Sequence, residues 1–166
     1  MRQWNVAGAI LEDDMGLLLV HNQRRTGVSD WSPPGGVIDH DDADVHTGLA
    51  REVWEETGLT VAAWGGLCYE VHATAPELGW EMRCEVHYAA AYSGQLVVDD
   101  PDGIVVDAAF FDSNACRTYL QTAMQWVREP LEAWLEQRWE PGFPRRFAYS
   151  VLGSDPSSFR VVRDLP

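Results

Sequence analysis

The run Arg51-Glu52-Val53-Trp54-Glu55-Glu56-Thr57-Gly58-Leu59 constrains this chain more than any other segment. It sets three carboxylates at i, i+3 and i+4 and then stops at a glycine. On a helix advancing about 100° per residue, Glu52, Glu55 and Glu56 share one stripe, while Leu49, Ala50 and Val53 turn elsewhere to face a core. Glu52 and Glu56 are like charges one turn apart, which costs an isolated helix roughly 0.2–0.5 kcal/mol, and Glu55 adds to the repulsion. A bound cation removes that cost. The plain alternative is a solvated acidic helix face, and what lies upstream argues against it. Trp31-Ser32-Pro33-Pro34-Gly35-Gly36 reads as a turn or loop, because proline restricts its neighbour and glycine permits positive φ. Asp44 as N-cap and Gly58 as the residue after the last turn predict a helix over 45–57. Gly48, one turn before Glu52, leaves room for a metal or phosphate, or simply allows close packing.

Loop, helix and carboxylates together resemble the Nudix box of the Nudix hydrolases, whose pattern is G-x5-E-x7-R-E-U-x-E-E-x-G-U, with U a bulky apolar residue. Arg51 to Leu59 match its second half at every fixed position. Gly36 fits the opening glycine, Asp42 stands where the family has its first glutamate, and eight residues rather than seven separate Asp42 from Arg51. The resemblance covers about residues 4 to 139, and it implies an α/β fold, an α/β/α sandwich around a mixed β-sheet. It also implies a metal-dependent hydrolase cleaving the pyrophosphate linkage of a nucleoside diphosphate joined to another moiety. Residue by residue, Glu52, Glu55 and Glu56 would bind Mg²⁺ or Mn²⁺, Gly36 would lend a backbone carbonyl, Arg51 would orient a glutamate, and Asp42 would support the loop. Asp99, Asp100, Asp102 and Glu85 are candidates for a further carboxylate, with a solvated acidic turn as the competing explanation.

Composition agrees. A length of 166 residues suits one domain with a sizeable core, residues 140–166 reading as a C-terminal extension. With 12 Lys plus Arg against 26 Asp plus Glu, the net charge is −14, which repels nucleic acid backbones. The expected partner is instead a small nucleotide-derived substrate bridged to the protein by cations, and the resemblance also admits a homodimer. Cys68, Cys84 and Cys116 cannot all pair, which points to a reducing cytoplasm. No apolar run approaches the length of a membrane span or an export signal.

Elsewhere the patterns predict an opening hairpin from 6–11 and 17–20, then a long antiparallel hairpin in which Leu67, Tyr69, Val71 and Ala73 alternate with Cys68, Glu70, His72 and Thr74. Its second strand alternates Trp80, Met82, Cys84, Val86 and Tyr88 with Glu81, Arg83, Glu85 and His87. That parity puts Cys84 on the opposite face from Cys68, His72 and His87 and so argues against a zinc site. An apolar strand over 104–111, helices near 114–128 and 130–139, and a tail hairpin from 145–152 and 159–162 complete the reading. Trp31, Tyr69 and Trp80 are candidates to stack on a base. ADP-ribose, a nucleotide sugar and a nucleoside triphosphate all remain open as substrates. A Nudix-fold domain that binds nucleotide as a sensor without cleaving it is the alternative that the altered Asp42 loop suggests.

Overall fold

The computed structural model describes residues 1–166, with strands and helices in the order β1 (Arg2–Ile10), β2 (Glu12–Asp13), β3 (Gly16–Gln23), β4 (Ser29–Ser32), β5 (Gly35–Val37), α1 (Val45–Thr57), β6 (Thr60–Ala75), β7 (Trp80–Ser93), β8 (Val105–Phe111), α2 (Ser113–Leu120), α3 (Gln125–Gln137), β9 (Arg145–Leu152) and β10 (Arg160–Asp164). Six strands form one mixed sheet in the order β10-β9-β6-β7-β1-β5. β1 runs parallel to β7 and β6 parallel to β9, the other pairs being antiparallel. A smaller sheet pairs β3 with β2, β4 and β8.

The large sheet separates two cores. Ala7 and Ala9 of β1 pack with Leu49 and Val53 of α1. On the other face, Tyr69, Val71, Phe147 and Tyr149 pack with Leu131, Trp134 and Leu135 of α3. β3 supplies both: Leu17 and Leu19 enter the α3 core, and Leu18 and Val20 the α1 core. A strand buried on both faces reads as an unbroken apolar run, which is the pattern of 17–20. The expected helix–sheet–helix layering is present. No helix is long and apolar enough to cross a membrane.

Several local expectations are corrected. β1 does not form a hairpin with β3, because β7 and β5 occupy its two edges and the chain passes into the smaller sheet at Leu11. The tight hairpin is β2–β3, its turn held by Asp13 Oδ1 accepting from the backbone N–H of Met15 and Gly16. In β6 the alternation fails at a bulge: Leu67 pairs with His87 and Tyr69 with Val86, so Cys68 is buried beside Tyr69 rather than on the polar face. Cys68 and Cys84 therefore contact one core, and the parity that set them on opposite faces does not hold. The break between α2 and α3 falls at 121–124, not before Pro130. There the Thr122 hydroxyl donates to the Tyr119 carbonyl and accepts from the Trp31 N–H, a side-chain alternative to continuing the helix. Pro130 lies inside α3.

The tail pairs β9 in parallel with β6, and Phe147, Tyr149 and Val151 are buried. Leu131 is fully buried between α3 and that part of the sheet. Replacing Leu131 with Ala should destabilise the protein by about 2–5 kcal/mol, read as a lower urea midpoint with an unchanged slope.

Candidate active site

α1 begins and ends where its caps require. Asp44 Oδ1 accepts from Thr47 N at 2.7 Å, and Gly58, at φ 74°, donates its N–H to the Trp54 carbonyl. These caps fix the phase of the helix, and Leu49 and Val53 fix which side faces the sheet. Glu52 and Glu56 are thereby turned toward β5. The fit is close at Gly36: a Cβ there would lie 2.7 Å from the Glu52 carboxylate and force it aside. Gly35 donates its N–H to Glu56 Oε2 at 3.1 Å.

Arg51 is surrounded by carboxylates. Its Nε and Nη2 donate to the two oxygens of Asp42 at 3.3 and 3.1 Å, and its Nη1 to Glu52 at 2.9 Å and Glu55 at 3.4 Å. Asp39 stands 3.5 Å from Nη2. Asp42 thus meets the arginine with both oxygens even though its side chain is one carbon shorter than glutamate and the loop is one residue longer. The seat for Asp42 is Gly48, where a Cβ would come within 2.6 Å of Asp42 Oδ2, so the missing side chain admits a carboxylate from the loop. The guanidinium beside it holds the Asp42 carboxyl below its usual range.

The box carboxylates behave differently. Burial pushes Glu56 up to about 8, against the Gly35 hydrogen bond that lowers it, and Glu52 and Asp100 add repulsion. Burial also raises Glu52, opposed by Arg51, with Glu55 and Asp102 contributing. Asp100 and Asp102 therefore share the space of the box, and both line one cavity with Gly36, Arg51, Glu52 and Glu56. Asp100 is partly committed already, its carboxylate accepting from the N–H groups of Asp102, Ile104 and Val105. Asp99 is exposed and off the cavity, and Glu85 is bound to His87 at 2.9 Å.

The donor set suits a hard divalent cation, being oxygen throughout with one buried carboxylate whose only partner is a backbone N–H. No three His, Cys, Asp or Glu side chains converge closely enough to hold a metal ion as they stand, Glu52 and Glu55 both being turned onto Arg51. A cation here would have to draw Glu52 or Glu55 off Arg51 or complete its coordination with water and substrate phosphates.

The cavity has a volume of about 780 Å³ and extends from the box across the α3 face of the sheet. Its far wall is apolar, with Met82, Met124, Trp126 and Val127. Its near rim is polar: buried Asn22 donates to Asp30 at 2.9 Å and to Ser32 at 2.8 Å, and Arg24 Nε donates to Asp30 at 3.2 Å. Of the proposed stacking residues, Tyr69 is buried in the cavity floor, Trp31 lies outside it against His21, and Trp80 packs edge-on to Trp126. Sequence reasoning missed Asn22, Arg24, Asp30 and Trp126. One signal was available, an asparagine two residues past the apolar run 17–20.

Glu56 gives a pH dependence of known sign. Its folded value near 8 exceeds the ordinary 4.5, so its contribution to stability is full below pH 4.5 and is lost as pH rises toward 8. The melting temperature of the metal-free protein should fall between pH 5 and 8, and Glu56→Gln should flatten that decline.

A sequence model of the NUDIX domain matches residues 1–135. Two curated relatives align over 57 residues, or 34% of this chain: a MutT-like protein of Streptomyces ambofaciens at 46% identity and nucleoside diphosphate-linked moiety X motif 6 of Xenopus laevis at 44%. The alignments span 34% and 26% of those two proteins. Among solved structures, a NUDIX hydrolase from Nitrosomonas europaea superposes with TM-score 0.66 at 23% identity, covering 84% of this chain and 93% of that one. The mutator MutT protein of Bacillus halodurans gives 0.65 at 18% identity, covering 95% and 97%. The structural likenesses show a shared fold, and with the domain match over most of its length this chain belongs to the NUDIX family.

Proposed function

We propose that this protein hydrolyses the pyrophosphate linkage of a nucleoside diphosphate joined to another moiety, with Mg²⁺ or Mn²⁺ held by Glu52, Glu55, Glu56 and the Gly36 carbonyl. One observation carries the reading: buried Glu56 and half-buried Glu52, which repel one another, open into the same cavity as an apolar wall of Met82, Met124, Trp126 and Val127. A pyrophosphate is protected from water by its own negative charge. A divalent cation, when bound, neutralises phosphate oxygens and acidifies a coordinated water.

The chain's own residues would do the rest. Arg24 and Arg51 are the two cationic side chains lining the cavity, in a protein of net charge −14. Arg51 is occupied by Asp42, Glu52 and Glu55, so its task is to orient carboxylates. Arg24 uses only Nε on Asp30 and is half exposed, which leaves its Nη groups to meet a phosphate. Glu56 accepts from Gly35 through Oε2, leaving Oε1 to hold a proton or a cation. Met82, Met124 and Trp126 would enclose the non-phosphate moiety, with Asn22 Oδ1 as an acceptor at the rim. Asp42 still grips Arg51 with both oxygens, which favours a working box over a sensor that has lost catalysis.

The test is product release from ADP-ribose, nucleotide sugars, dinucleoside polyphosphates and nucleoside triphosphates, each with and without Mg²⁺ or Mn²⁺. Metal-dependent cleavage of one class is expected, and Glu55→Gln or Glu56→Gln should lower turnover at least about 100-fold with the circular-dichroism spectrum intact. Nucleotide binding without any cleavage would establish the sensor instead. Arg24→Ala should raise KM several-fold more than it lowers kcat, the pattern of a lost ground-state contact.

A further inference from the structure

Away from the box carboxylates, three side chains join β7 to the first turn of α1. His46 stacks on Trp64 of β6, ring centroids 5.3 Å apart and planes 14° from parallel, and meets His87 of β7 edge-on at 4.7 Å. Its Nε2 lies 3.1 Å from His87 Nδ1, and His87 Nε2 lies 2.9 Å from Glu85 Oε2. His87 belongs to the polar face of its strand by sequence, yet it is only 7% exposed because α1 and Trp64 cover it.

The chain of bonds has one polarity. An ionised carboxylate only accepts, so His87 must carry its proton on Nε2. Neutral His87 then presents Nδ1 as an acceptor, and His46 must donate from Nε2. Burial favours the neutral form of His87, outweighing the pull of Glu85. Each member therefore fixes the tautomer of the next.

We infer that Glu85, His87 and His46 are positioning residues that hold the first turn of α1 against the sheet and thereby set the cation-binding face of that helix. The inference rests on the proposed metal site. The C-terminal end of α1 has its own ties, the Gly58 cap and the bond from Val97 N to the Thr57 carbonyl at 2.8 Å. At the N-terminal end, the His46–His87 bond is the one side-chain hydrogen bond from the first turn to the sheet. That turn contains Gly48, on which Asp42 is seated, and Asp42 receives the fork of Arg51. The same guanidinium restrains Glu52 and Glu55. A loosened first turn would unseat Asp42, free Arg51 and let both glutamates drift, a contiguous path made of contacts already described.

Four substitutions separate the hydrogen-bond chain from simple packing. His46→Phe keeps a ring for Trp64 and removes the donor, whereas His46→Gln keeps an N–H donor and loses the ring. Glu85→Ala removes the acceptor that sets the His87 tautomer, whereas Glu85→Gln retains one. Calorimetric Mn²⁺ affinity should fall on the order of tenfold in His46→Phe and Glu85→Ala and stay within about twofold in His46→Gln and Glu85→Gln. The opposite ranking would make the contact one of packing, and equal affinity in all four would overturn the inference while leaving the metal site standing. Wild-type protein that binds no Mn²⁺ would remove the site and this inference together. Should a variant fail to fold, nitrogen NMR of the wild type still decides, since a proton on Nδ1 of His87 at neutral pH contradicts the chain of bonds.

Discussion

The close approach of α1 to the edge strand β5 is the constraint on which the site depends. A helix carrying three glutamates on one stripe is brought so near a strand that a methyl group at Gly36 would displace the Glu52 carboxylate. That proximity buries Glu56, raises its proton affinity and aims Glu52 and Glu56 into a cavity, with Glu55 turned onto Arg51. The sheet makes the contact possible from behind. Ala7 and Ala9, the smallest side chains available to a strand core, let the backbone of α1 sit low over β1 while Leu49 and Val53 fill what remains.

Such an arrangement gathers negative charge that a folded protein ordinarily disperses, and Arg51 is the local compensation. It contacts Asp42, Glu52 and Glu55 directly, with Asp39 beside it, whereas Glu56 is left to a single backbone donor. The division makes chemical sense. A carboxylate bound to a guanidinium is stabilised as an anion, and one that is buried without a cation is stabilised only when it gains a proton or a metal. Asp42, gripped by the arginine, and Glu56, left beyond its reach, are thereby given opposite tendencies by geometry. The electrostatic design lies in which carboxylates the arginine reaches and which it leaves.

What could be read beforehand follows from the range of each interaction. The limits of α1 were legible to the residue, because Asp44 and Gly58 act on their own helix within a turn. The carboxylate stripe and the long β6–β7 hairpin were legible for the same reason, their periodicities being local. The opening hairpin was misread because strand pairing is decided by competition: β1 has better partners in β5 and β7, far along the chain. The bulge at Cys68 and the break at Thr122 each depend on one contact that a period cannot encode. Asp42 could be recognised as an irregularity, but its seat on Gly48 could not, since the glycine admitted two explanations until the loop was placed over it. Asn22, Asp30 and Trp126 come from three separate elements and acquire a shared meaning only in the cavity.

β3 has a consequence of another kind. Leu17 and Leu19 are shared with one core, and Leu18 and Val20 with the other, so loss of β3 would strip both hydrophobic layers at once. A strand common to both layers couples their stabilities, which favours cooperative unfolding. The repulsive carboxylates of α1 are thus backed by a core that shares a strand with the layer on the far side of the sheet.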